Sequence, residues 1–465
     1  MGNRAFSLDA LRGYAILTMI LSGTVASGIL PGWMYHAQLP PPSNVFNPGV
    51  YGITWVDLVF PFFLFAMGAA FPFSIGKKLA KGEPALVLCW GSVVRGLKLA
   101  FFAIFLQHIY PWVISSPQDM RAWVITLTGF ALLFPMFMRM PWQMPKWLRL
   151  VIEYGAYLLA LILMTQITYA NGRVFSLSFS NIIILVLANM AIFGSIIYLL
   201  TPQSPLLRLA ILPFVMAIFL GSKTDGSWQQ WLFDYSPLPW LFKFNYLKYL
   251  FIVLPGSIAG EYLLEWVNRG NNKAIMKCEK KYMPLILLLS VGLIIFNLYG
   301  LYMRELVFNL FGSAVLLLFL GILLRGDDRE SIYWGKLFRA GAYLLLLGLF
   351  FEAFEGGIRK DHSTYSYYFV TSGLGFIAMI SFSILCDMYR VAWLKPLEMA
   401  GQNPMIAYVA TNVAIMPLLH VVGLADWLNY LGGTPFLGFM RGAVLTSLAI
   451  LLAMFFTRIK WFWRT

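Results

Sequence analysis

The chain carries only four histidines, His36, His108, His362 and His420, and histidine is the side chain whose proton moves most readily near neutral pH. One of them has an unusual setting. Residues 35–68 read YHAQLPPPSNVFNPGVYGITWVDLVFPFFLFAMG, so His36 precedes a proline-rich loop and Asp57 opens an apolar run. Prolines remove backbone donors and stiffen the chain, which excludes regular helix from PPPSNVFNPG. Asp57 falls in the first turn of the helix that follows, with Thr54 as a possible N-cap. A carboxylate at that place has two readings. It complements the helix N-terminus, or it orients the His36 imidazole as the base of an acyl-transfer site.

Other polar residues cluster at the ends of apolar segments. SLDALRG, residues 7–13, offers Ser7 as a cap, Asp9 in a first turn and Arg12 one turn on. Arg12 either pairs with Asp9 or meets an anionic group such as a nucleotide phosphate. EMAGQNPMIAY places Gln402 and Asn403 before a proline, where amides cap the helix, bind ligand or stabilise an oxyanion. FEAFEGGIRKDHSTYSYYFVTSG gathers Glu352, Glu355, Arg359, Lys360, Asp361 and His362 at one helix exit. So many polar groups on a path into the membrane imply a wet cavity. Lys360, His362 and His108 are the candidates for contact with a substrate.

The elements that must position these residues are membrane helices. The chain has 465 residues, 60% hydrophobic and only 12% charged, with mean hydropathy +0.74; a soluble protein carries roughly twice that charged fraction. Apolar runs near twenty residues recur from end to end. They predict about fourteen spans, at 9–30, 56–75, 94–114, 122–138, 148–168, 179–200, 206–220, 247–267, 283–302, 305–325, 338–356, 366–386, 403–422 and 435–457. The first of them is expected to be an uncleaved span rather than a signal peptide. The fold class expected is therefore all-α, a single polytopic domain over 1–465.

A net charge of +14 and pI near 9.6 would suggest nucleic acid in a soluble protein. Here most of the 34 Lys and Arg fall on one side of the predicted topology, among them Arg4, Arg12, Lys78, Arg95, Lys273, Lys277, Lys280 and Lys281. By the positive-inside rule that side is cytoplasmic and holds both termini. His36 then lies outside, with the longer outer segments 31–55, 221–246 and 357–365. GSWQQWLFDYSPLPWLFKFNY, within the second, reads as an interfacial aromatic belt or as a stacking platform for sugar rings. Cys89, Cys278 and Cys386 have neither metal nor disulfide spacing and read as packing residues. No P-loop, Rossmann glycine pattern or HExxH is present, and no metal is expected.

Several stretches together resemble the transmembrane acyltransferases related to heparan-alpha-glucosaminide N-acetyltransferase and their bacterial relatives. They are SLDALRG at 7–13, HA at 36–37, ITWVDLVFPFFLFAMG at 53–68, STYSYYFVTSG at 363–373 and GQNPMIAYV at 401–409. The resemblance implies a ten-helix core, to which 179–220 and 282–325 would be added helix pairs. It implies that His36 is catalytic, as general base or acyl carrier, with Asp57 beside it. Acetyl-CoA or another acyl-CoA would enter a pore from the cytosol near Arg12, Gln402 and Asn403. The acyl group would pass to an amino sugar or glycan acceptor outside. The setting implied is a bacterial cytoplasmic membrane, with lipid as surroundings and a homodimer possible. Where the family carries an asparagine in the first span, this chain has Gly23. A transporter or flippase for a glycan or lipid-linked substrate, and a non-catalytic CoA-binding relative, are the alternatives.

Overall fold

A computed structural model describes residues 5–139, 144–269 and 282–465. Arg4, Lys273, Lys277, Cys278, Lys280 and Lys281 lie outside the described residues. Among the described residues the chain is a bundle of helices without strands; a single isolated bridge joins Met138 and Trp463.

Among the described residues twelve helices are long and apolar enough to cross a membrane. With the polar-headed first helix and one shorter apolar helix they are numbered α1 Phe6–Thr24, α2 Trp55–Ala80, α3 Ala85–Ile109, α4 Met120–Phe137, α5 Lys146–Gln166, α6 Ile182–Leu200, α7 Pro205–Gly221 and α8 Phe244–Arg269. The remainder are α9 Met283–Met303, α10 Leu306–Leu323, α11 Arg329–Glu355, α12 Tyr365–Met388, α13 Pro404–Val421 and α14 Pro435–Arg458. Each predicted span has its helix, but the ends move where a proline sets them. The third span begins at Ala85, earlier than the hydropathy suggested, because Pro84 serves as its N-cap, and it stops at Ile109 ahead of Pro111. Arg304 in the left-handed region (φ 57°) makes the tight turn between α9 and α10.

The centre of the bundle is formed by α2, α8 and α12, whose apolar windows are 72%, 78% and 89% buried, against 17% for α5 and 22% for α10. Close approach between α2 and α8 depends on missing side chains. A Cβ on Gly68 would lie 2.0 Å from the Val253 carbonyl oxygen, and one on Gly256 2.3 Å from that of Phe65. In lipid, where apolar burial drives helices together only weakly, such small-residue contacts let backbones pack tightly. Of the two helix pairs expected as additions, α9–α10 sits toward the periphery. The first pair is divided: α6 is 61% buried and packs on α3, while α7 is the outlying member.

The first helix departs from its predicted cap. Ala5, not Ser7, is the N-cap residue, and the Asp387 carboxylate of α12 accepts the N–H groups of Phe6 and Ser7. A helix start can be capped from a distant segment as well as from its own sequence.

Candidate functional site

The loop between α1 and α2 is folded on itself, and this holds His36 in place. Tyr35 donates its hydroxyl to the Ala26 carbonyl and accepts the Leu30 N–H; Thr54 Oγ1 donates to the Tyr35 carbonyl. Gln38 Nε2 reaches the Val50 carbonyl across the proline-rich segment, and Gly52 N–H donates to Ile358 O in the loop after α11.

Asp57 is fully buried and uses both oxygens. Its Oδ2 accepts the Thr54 N–H at 3.0 Å, closing a capping box, and the Ala37 N–H at 3.2 Å. Its Oδ1 lies 2.7 Å from His36 Nδ1. One oxygen thus caps the helix, as the first reading of Asp57 has it, and the other contacts the His36 imidazole. An ionised carboxylate only accepts, so Nδ1 carries a proton; in the neutral ring the lone pair is then on Nε2. The His36 side chain is 30% exposed, which leaves that face reachable. Lys360, from the loop between α11 and α12, brings its Nζ to 3.0 Å from His36 Nδ1, 3.4 Å from Nε2 and 3.8 Å from Asp57 Oδ1. Tyr367 of α12 donates its hydroxyl to the Asp57 carbonyl at 2.9 Å.

A cavity of about 470 Å³ opens at the far end of the bundle. Its mouth is basic: Arg12, Lys78, Arg95 and Arg464 line it, with Gln402 and Thr465. Along α2 its wall is Phe60, Phe63, Met67, Ala70, Ser74 and Lys78, a spacing of three and four residues that follows one helix face. That stretch is roughly 27 Å long at about 1.5 Å rise per residue, close to the thickness of a membrane's apolar core. Ile16 and Met19 of α1, Leu99 and Phe102 of α3, Ile184 of α6, and Met405 and Tyr408 of α13 complete the walls. His36 is not among the lining residues. The wall ends at Phe60, and the next position up the same face of α2, one turn away, is Asp57.

The sequence-predicted residues thus fall into two groups and three outliers. His36, Asp57 and Lys360 meet at one end. Arg12 and Gln402 meet at the other, and Arg12 also keeps its expected partner, 3.6 Å from Asp9 Oδ1, while donating to Gly401 O. Asn403 departs from expectation. Its Nδ2 donates to Trp461 O and its Oδ1 accepts the Trp463 N–H, so both ends of the amide fasten the C-terminal segment and neither is offered to a ligand or an oxyanion. His108 is fully buried between Tyr169, Phe175 and Phe179, with Nδ1 2.8 Å from Ile104 O and Nε2 accepting the Ser176 N–H. Those partners give it a packing and hydrogen-bonding role away from His36. His362 is exposed and left-handed (φ 53°), outside the contacts of His36. His420 stacks on Trp123 at 4.0 Å. Gly23 is exposed, and a side chain there would meet open space.

Sequence reasoning missed Arg95 and Arg464 as site residues, having read Arg95 and Lys78 only as topology anchors. The period of α2 was the available signal, since it sets Lys78 in line with Asp57. Tyr367 was missed as well, hidden in an aromatic run. Among the described residues no group of three or more His, Cys, Asp or Glu converges in a metal-binding arrangement.

Fold and site together define an all-helical integral membrane protein with a histidine–carboxylate pair at one end and, at the other, a basic-mouthed cavity lined as far as Phe60. A family profile described as a domain of unknown function, DUF5009, matches residues 4–263, more than half of the chain, and the chain belongs to that family. No curated protein matches it. The matched region contains Arg12, His36, Asp57 and Arg95 and ends before Lys360, Gln402 and Arg464.

Proposed function

We propose that this protein is a membrane acyltransferase. It moves an acyl group, acetyl in the simplest case, from acyl-CoA bound in the cavity to an amine or hydroxyl of an amino sugar or glycan at the His36 end. The observation that carries this reading is the α2 face: a lined cavity starts at four cationic side chains and ends one turn from the carboxylate that holds the imidazole. Clustered Lys and Arg suit phosphate groups, and the apolar walls beyond them suit a narrow chain bearing a thioester. The basic end would face the cytosol of a bacterial cell, with both termini there.

In the reaction, Asp57 Oδ1 fixes His36 with the proton on Nδ1. Nε2 takes the proton of the acceptor N–H or O–H as the acceptor nitrogen or oxygen bonds to the thioester carbonyl carbon. The C–S bond then breaks, and the thiolate leaves with the proton returned from Nε2. The same Nε2 also suits attack on the thioester itself, with an acyl group held on the ring before transfer.

Purified protein in lipid nanodiscs, given labelled acetyl-CoA and a panel of amino sugars, tests the proposal. Label should reach an acceptor with the native chain and not with His36→Ala. Equal transfer by both would remove the mechanism.

A further inference from the structure

We infer that Lys360 is a positioning residue for His36: its ammonium balances the buried Asp57 carboxylate and keeps the imidazole in its neutral, Nδ1-protonated form. The inference rests on the proposed acyl transfer for its consequence, and on geometry alone for its substance.

The sequence offered Lys360 as a contact for substrate. The structure gives it a different address. Its Nζ stands within 3.4 Å of both ring nitrogens and 3.8 Å from Asp57 Oδ1, and its side chain is only 18% exposed. The loop that carries it is anchored at both ends. Glu355 accepts the N–H groups of Tyr365 and Ser366 at 2.8 Å each. Arg359 N–H donates to Thr364 Oγ1, and Ile358, fully buried, accepts Gly52 N–H from the His36 loop. The ammonium is therefore delivered to the ring by a held segment.

The charges that face the ring are few. Asp57 comes from α2 and Lys360 from the loop before α12. The Tyr367 hydroxyl is spent on the Asp57 carbonyl, and Asp361, Tyr249 and Tyr368 stand behind it, within electrostatic range of that phenol. One buried anion and one adjacent cation already balance. A second proton on the imidazole would set two cations about 3 Å apart, which like-charge repulsion opposes. Nδ1–H is committed to Oδ1, and an ammonium this close to both ring nitrogens lies beside the ring rather than along the Nε2 lone-pair direction. Nε2 of the neutral ring is thereby left open to an incoming acceptor, whose proton it can take. The same ammonium also stands where it would polarise an acyl group carried on the ring.

The test compares native chain, Lys360→Met and Lys360→Arg in nanodiscs. Deuterium exchange at the imidazole C2 of His36, read by mass spectrometry across pH, reports ring titration without any turnover. With Lys360→Met the midpoint should rise by about one pH unit, a tenfold change in protonation at a given pH, and with Lys360→Arg it should stay near the native value. The rising limb of kcat/KM against pH should move by the same amount in the Met variant, with activity regained at alkaline pH. An unmoved midpoint overturns the inference. So does a raised acceptor KM with an unchanged pH profile, which would return Lys360 to substrate binding. A moved midpoint in a protein that transfers no acyl group sustains the inference while removing the proposed function.

Discussion

The two oxygens of Asp57 divide their tasks, one closing the capping box of α2 and the other holding His36 Nδ1. Asp57→Asn therefore separates them. An amide of the same shape keeps one acceptor but loses the charge and can flip the ring's tautomer. We expect kcat/KM for acyl transfer to fall by about 10²–10⁴, while thermal unfolding in detergent shows a loss of about 1 kcal/mol, the scale of a weakened cap. A loss of activity without that balance, through unfolding alone, would show as a lost transition. The cap was legible because Thr54 and Asp57 stand three residues apart at a helix start, and the contact with His36 because that ring lies in the preceding loop beside the same helix mouth. Asn403 was not legible. Its partners Trp461 and Trp463 lie across the fold, and no local pattern distinguishes an amide that ties down a distant strand of chain from one that meets a ligand.

Helices were legible as elements because a membrane demands long apolar runs, and their ends were less so because hydropathy is blind to caps. The extra turns of α11 before residue 338, RESIYWGKL, are mixed in polarity, whereas those of α3 before residue 94, ALVLCWGSV, are apolar; Pro84 and the Asp328 side chain, which accepts the Ser331 N–H, start those helices. The cavity belongs to this scale too, since α2 builds its longest wall from one face. Phe60 closes that wall below Asp57. Phe60→Trp should block passage and cut transfer at least tenfold with acyl-CoA binding retained, by direct binding assay; Phe60→Ala should preserve transfer and accept longer acyl chains. Gly68→Leu tests the packing behind that face. Its first side-chain carbon would meet the Val253 carbonyl, so α2 and α8 must part, at a cost of about 1–3 kcal/mol, read as a lowered melting temperature.

Over the whole molecule, charge is sorted by end. Arg12, Lys78, Arg95 and Arg464 collect at one mouth, contributed by α1, α2, α3 and the C-terminal segment. Positive charge on that side was legible from the loops, but its convergence was not, because four residues far apart in sequence meet only in the assembled bundle. Arg95→Gln should raise the KM for acyl-CoA about tenfold, as for one lost charge-assisted hydrogen bond, with the acceptor KM unmoved. Raised ionic strength should weaken acyl-CoA binding in the native chain more than in the variant.

The His36 loop and the Lys360 loop are joined by Gly52 N–H to Ile358 O, yet some three hundred residues are synthesised between them. At roughly 5–20 residues per second, a growing chain waits on the order of 15–60 s with its imidazole and carboxylate made and the balancing ammonium still unwritten. The site is thus completed late in translation, since Lys360 and then α12, whose Tyr367 packs on Asp57, are both made after the pair they finish.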